Sequence, residues 1–223
     1  KMRESRAMTA PSTTVSDALL RAEQLQSHRG DRELFTDLNL TLSAGEAVQV
    51  VGPNGCGKTT LLRVLCGLVQ PSAGQVSWRG TAIEHDRAAF HRELCYLGYA
   101  GGVKLELSPV ENLRCAVAMQ AEVPTLGVWE ALDQVGLYGF EDVPGYTLSA
   151  GQRRRVSLAR LLLAGVPLWI LDEPLTALDD QGTALVERLL DAHVREGGVL
   201  VLTTHQPLRN PPSNTRALRL GQQ

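Results

Sequence analysis

The residues with the plainest chemistry form one loop, Gly52-Pro53-Asn54-Gly55-Cys56-Gly57-Lys58-Thr59, followed by Thr60. It satisfies Gly-x4-Gly-Lys-[Ser/Thr] and lies after an apolar run and before leucines at helical spacing. Glycines let backbone N–H groups wrap the β- and γ-phosphates of a nucleotide, and a helix N-terminus adds its dipole. Lys58 would neutralise phosphate charge, and the Thr59 hydroxyl would be a ligand to Mg2+. Far along the chain, the apolar run Val166 to Leu171 ends in Asp172-Glu173. Taken alone, such a pair is a surface turn or a helix cap. At the carboxyl edge of a sheet, beside a phosphate loop, it completes a hydrolytic site. Asp172 would then hold Mg2+ through water, and Glu173 would polarise the attacking water.

Three further segments follow in order. Leu148-Ser149-Ala150-Gly151-Gln152 precedes Arg153-Arg154-Arg155 and a helical pattern; Ala177-Leu178-Asp179 comes just after Glu173; His205 follows the apolar run Val199 to Thr203. By itself the first reads as a Ser-capped helix start, and a histidine after a strand reads as an ordinary surface or core residue. Together with the phosphate loop and the carboxylate pair, they resemble the ATP-binding subunits of ABC transporters over residues 17–223. Leu148 to Gln152 resembles the signature Leu-Ser-Gly-Gly-Gln, with Ala150 at the first glycine.

That resemblance implies ATP and Mg2+ as ligands and a head-to-tail pair of identical chains. The signature of one copy would complete the ATP site of the other, with Ser149 a donor and Gly151 permitting close backbone approach. It implies Asp179 in the loop linking the two sites and His205 as the histidine that contacts the γ-phosphate. Phe140-Glu141-Asp142-Val143-Pro144 leading into the signature, Trp169 to Pro174, and Thr203-Thr204-His205-Gln206-Pro207-Leu208 narrow the likeness further. They are similar to the ATP-binding subunit of the cytochrome c maturation, or haem exporter, complex. This implies an integral membrane partner, a peripheral place on the cytoplasmic side of the inner membrane, and haem met only indirectly. An ATP-binding subunit serving another small solute shares the same motor parts.

Two departures stand out. Ala100, in Gly98-Tyr99-Ala100-Gly101-Gly102, occupies the place of the family's metal-contacting glutamine. The adenine-stacking aromatic is replaced by Ser27-His28-Arg29-Gly30, where Arg29 or His28 would stack instead. The run Arg153 to Arg155 reads either as a solvated helix face or, since cations oppose the dipole of a helix N-terminus, as a partner for anions. Those anions would be ATP or carboxylates of the insertion described next.

The elements that must position these residues read as α/β: a P-loop core with mixed sheet, antiparallel β elements at its start and an inserted helical subdomain. Leu38, Leu40 and Leu42 alternate with polar residues and Val48 to Val51 follow Gly45, giving two strands. Leu61, Leu65 and Leu68 predict a helix ended by Pro71, and Gln75 to Trp78 a strand. The region from Phe90 to Gly145 is broken by Pro109, Pro124 and Pro144 and predicts a helical insertion spanning about 90–153 once the signature is included. The continuous runs Val166 to Leu171 and Val199 to Thr203 predict parallel strands buried on both faces.

The 223 residues suffice for one large domain, 17–223, after a disordered tail over 1–16. A net charge of -2 offers no field for gripping nucleic acid. The most apolar stretch, Leu158 to Leu171, contains Arg160 and Pro167 and is no membrane span. Cys56, Cys66, Cys95 and Cys115 form no Cys-x-x-Cys pair and read as reduced core residues. There is no Cys-x-x-Cys-His with which the chain would bind haem itself.

Overall fold

The computed structural model describes residues 18–120, 124–205 and 207–221; the expected tail, 1–16, lies outside them. In chain order the elements are β1 (Ala18–Arg29), β2 (Arg32–Ser43), β3 (Ala47–Val51), α1 (Lys58–Leu65), β4 (Ala73–Trp78) and β5 (Thr81–Ala82). Then come α2 (Arg87–Arg92), β6 (Leu94–Leu97), α3 (Pro109–Ala118), α4 (Val128–Gln134) and α5 (Ala150–Ala164). The chain closes with β7 (Leu168–Asp172), α6 (Asp180–Arg195), β8 (Val199–Thr203) and β9 (Thr215–Arg219).

The mixed strand directions are divided between two sheets. An antiparallel sheet has the order β2-β1-β4-β5, and a parallel sheet the order β6-β7-β8-β3-β9. β2 and β3, consecutive in sequence, therefore part to different sheets. β1 was not legible beforehand: Arg21, Glu23 and Gln24 interrupt its pattern, and register shifts interrupt its pairing with β2. Leu20, Ala22 and Leu25 nonetheless point into the core opposite Leu42, Leu40 and Leu38.

The parallel strands explain the continuous apolar runs. In β7, Leu168 and Ile170 join the core shared with α1 and the antiparallel sheet, whereas Trp169 and Leu171 join the core beneath α5 and α6. In β8, Val199 and Val201 take the first side, Leu200 and Leu202 the second. A period of two with both faces buried makes each strand an apolar run up to its carboxyl end, where Asp172 and Thr203 are the buried polar residues. β7 starts at Leu168, two residues later than expected, because Pro167 has no N–H to give a ladder.

Of the span 90–153 expected as a helical insertion, Leu94–Leu97 near its start instead supply β6 of the parallel sheet, and the helical part beyond it holds α3 and α4, both packed on α5. α3 starts with a capping box between Ser108 and Glu111, with Pro109 in its first turn. Cys56 and Cys66 are buried and Cys95 half-buried, but Cys115 is exposed on α3, against the expectation of four core cysteines.

Candidate functional site

The phosphate loop joins β3 to α1. Gly57, at φ 102, turns the chain into the helix in a conformation few other residues adopt. A Cβ there would lie 3.0 Å from the Leu34 Cβ, so the loop sits directly against β2. Lys58 is buried, and its Nζ donates to the carbonyls of Gly52 at 2.7 Å and Pro53 at 3.2 Å. Cys56 is buried behind the loop.

The carboxylates arrive from the neighbouring strands. Asp172 and Thr203 are paired across β7 and β8, and both are buried. Asp172 Oδ2 accepts from Thr59 Oγ1 at 2.8 Å, and Oδ1 accepts from Thr203 Oγ1 at 2.7 Å. The same Thr203 oxygen accepts from the Glu173 N–H at 3.0 Å. Glu173 has φ 52, an uncommon and costly backbone for a side chain of this size. Its Oε2 accepts from the His205 N–H at 2.9 Å; its Oε1 is buried without a hydrogen bond among the described residues, with His205 Nε2 3.6 Å away. Thr203 is one residue that sequence reasoning missed, because a hydroxyl at the end of an apolar strand carries no motif.

These groups share one cleft of about 420 Å³. The loop lines it with Asn54, Gly55, Gly57, Lys58, Thr59 and Thr60, joined by Tyr99, Asp172, Glu173 and His205. Arg29 and Leu34 of the hairpin close one end. Of the two stacking candidates, only Arg29 is in the wall; His28 pairs instead with Ser72 at 3.3 Å and Glu33 at 3.9 Å. Tyr99 was not foreseen as a cleft residue, whereas Ala100 lines a neighbouring hollow with Ala150 and Ala177.

Leu148 to Gln152 contributes nothing to this cleft. Ser149 caps α5: its Oγ accepts from the Gln152 N–H at 3.1 Å, and Gln152 Oε1 accepts from the Ser149 N–H at 2.8 Å. Gly151 does permit a close approach, but of its own chain, since a Cβ there would stand 2.8 Å from the Ala177 carbonyl oxygen. Asp179 caps α6 through the Gly182 N–H at 2.7 Å and pairs with Arg155 at 3.0 Å. The Gly182 bond first, then Arg155, hold its carboxyl below the usual range.

Within the chain, none of the described carboxylates of the insertion pairs with the arginine run. Arg153 donates to the Leu148 carbonyl, Arg154 to carbonyls throughout, and Arg155 to the Val135 carbonyl at 2.9 Å as well as to Asp179, outside the insertion. A guanidinium fork has several donors and no acceptor, so carbonyls at loop and strand ends can satisfy its N–H groups, though without the charge of a carboxylate.

The donor set suits a small hard cation. Thr59 Oγ1 and Asp172 Oδ2 meet at the foot of the loop, both oxygen, and no cluster of three or more His, Cys, Asp or Glu exists among the described residues. That is the pattern of a metal held by few side chains together with phosphate and water.

The chain matches the family model described as ABC transporter over residues 35–176. It is 55% identical over 195 residues to the cytochrome c biogenesis ATP-binding export protein CcmA of Methylococcus capsulatus, covering 87% of this chain and 94% of that one. A solved structure of the ATP binding subunit of an ABC transporter superposes with TM-score 0.79 at 23% identity, over 91% of this chain and 88% of that chain. The dimeric post-hydrolysis structure of the ATP-binding cassette MJ0796, bound to ADP and Pi, gives 0.76 at 22% over 91% and 94%. The structural likenesses are of fold. Similarity of this extent in sequence, laid over a cleft of this geometry, makes the chain a member of the ABC transporter family, among its cytochrome c biogenesis ATP-binding export proteins.

Proposed function

We propose that this ABC ATPase works as a head-to-tail pair of identical chains that closes around two Mg-ATP and hydrolyses them by in-line attack of water. The observation that carries the reading is the continuous set of bonds Thr59–Asp172–Thr203–Glu173–His205, drawn from α1, the ends of β7 and β8 and the residues following them. Lys58 supplies positive charge at the phosphates, and the N–H groups of Asn54 to Thr60 wrap them. Mg2+, held by Thr59 and, through water, Asp172, would neutralise charge on the phosphates. Glu173 Oε1, buried in the cleft wall and free of protein donors among the described residues, polarises the attacking water. His205, its side chain 58% exposed, is the contact to the γ-phosphate. Arg29 stacks on adenine.

The signature of the partner copy, Leu148 to Gln152, covers the γ-phosphate. What supports this is its absence from its own chain's cleft, together with the exposure of Ser149 and Ala150 at the start of α5. Asp179, beside it, links the two sites.

We further infer that the pair sits peripherally on the cytoplasmic side of the inner membrane, held by an integral membrane subunit, and energises an export step of c-type cytochrome assembly. Haem is handled by that partner. No helix among the described residues is long and apolar enough to cross a membrane. Among the described residues, the exposed aromatic side chains outside the cleft, Trp129, Tyr138, Phe140 and Tyr146, all fall within the insertion, a composition suited to a protein partner.

Replacing Glu173 by Gln tests the mechanism. ATP binding is expected to persist while turnover falls about 100-fold or more and the chain sediments as an ATP-dependent dimer. Turnover near that of the parent would remove Glu173 from its role.

A further inference from the structure

Ala100 has no polar side chain, so the glutamine-like tie that the family resemblance implies at this position is missing. A different side chain reaches the loop beside it. Arg154, on the first turns of α5 and 6% exposed, donates from Nη2 to the carbonyls of Asp172 at 3.0 Å and Glu173 at 2.6 Å, and from Nε to that of Pro174 at 3.1 Å. Its Nη1 donates to the Gly98 carbonyl at 3.2 Å and, at 3.5 Å, to that of Tyr99. We infer that Arg154 is a positioning residue for Glu173, and that it ties the Glu173 peptide to the loop that opens the helical insertion. This rests on Glu173 being the group that polarises the water.

The geometry makes the assignment specific. Glu173 occupies a left-handed conformation that it would not hold unaided, and its peptide is anchored on both sides. The N–H is held by Thr203, the carbonyl by Arg154. With both ends fixed, the side chain is aimed into the cleft, where Oε2 is further held by the His205 N–H. Losing the Arg154 bond would free the peptide to rotate out of its costly conformation and swing the carboxylate with it.

The second half of the inference follows from the fork. One planar group reaches the end of β7 with one edge and the loop after β6 with the other. Lysine, a single ammonium centre, cannot span both. No carboxylate is hydrogen-bonded to Arg154 among the described residues, so its N–H groups are met by carbonyl oxygens. Burial pulls its pKa down, partly offset by Asp172 and Glu173. Such an arrangement is expensive where only packing is needed, because an apolar side chain would fill the space without desolvating a charge. Arg154 also belongs to the helix whose first residues carry the signature. A shift of that helix or of the 98–99 loop is thus delivered to the backbone that aims Glu173.

The test is a double-mutant cycle on the full chain, read by phosphate release and ATP affinity. Arg154→Met is expected to lower kcat about 30-fold with KM for ATP changed less than about threefold. In the Glu173→Gln background it should change the residual rate less than about twofold, since the group it positions is already disabled. The same loss in both backgrounds, or an unchanged kcat in the first, overturns the assignment. Should Arg154→Met fail to fold, Arg154→Lys, which keeps charge and length but not the fork, carries the same cycle. Rapid turnover by Glu173→Gln alone would remove the reading of Glu173 and this inference with it, a failure distinguishable from that of Arg154. The tie is read separately. Amide exchange over residues 98–102 should slow on ATP binding in the parent and not in Arg154→Lys; equal slowing in both overturns it.

Discussion

Replacing Thr203 by Val deletes one hydroxyl and keeps the shape of the side chain. In the structure that hydroxyl donates to Asp172 Oδ1 at 2.7 Å and accepts from the Glu173 N–H at 3.0 Å, with Thr203 fully buried. A hydrogen bond to a charged acceptor contributes about 1.5–3 kcal/mol, and a buried N–H left without a partner costs about 1–3 kcal/mol. The two share one oxygen and are not additive, so a destabilisation of about 3 kcal/mol is expected. The catalytic effect has a different source. Glu173 loses one of the anchors that hold it at φ 52, and if about half of that free energy appears as misalignment in the transition state, kcat falls about 10-fold. Lys58 and the phosphate loop are untouched, so KM for ATP stays within about threefold. Urea denaturation and phosphate release measure the two effects separately. Thr203→Ser restores the hydroxyl and should recover the rate, though not all the stability, because the lost methyl group was buried. A Val variant within about 0.5 kcal/mol of the parent and equal to it in kcat would refute the reasoning.

Two further outcomes follow from other parts of the molecule. His193 stacks on Trp169 with ring centroids 3.9 Å apart, and burial first of all lowers its pKa from 6.5 to about 4 despite a hydrogen bond to the Val199 carbonyl. The unfolded chain therefore takes up this proton first; the contribution is whole above pH 6.5 and drains as pH falls towards 4, by about 3 kcal/mol. His193→Phe, which keeps a ring over Trp169, should lose less stability than the parent between those pH values in urea titrations, and parallel losses would contradict the assignment. Gly151→Ala puts a Cβ 2.8 Å from the Ala177 carbonyl oxygen, so overpacking should cost about 1–3 kcal/mol and lower the melting temperature; an unchanged Tm would show that the Ala177 turn yields freely.

The sequence by itself determined the phosphate loop, the carboxylate pair at the end of β7 and the capped start of α5. Each is a local device whose chemistry depends on residues a few positions apart: Gly57 before Lys58, Asp172 before Glu173, Ser149 with Gln152. The buried parallel strands were legible for the same reason, since two covered faces produce an unbroken apolar run. Tertiary structure alone decided what those devices touch. Thr59 meets Asp172 across 113 positions of chain and Thr203 meets Asp172 across 31, distances over which no spacing carries information. Arg29 rather than His28 lines the cleft; the two are adjacent in β1, and successive strand side chains point to opposite faces. The carbonyl partners of the arginine run were not legible, since charge is visible in sequence and carbonyl oxygens, present at every residue, single out no partner. Only folding brought five of those carbonyls around Arg154.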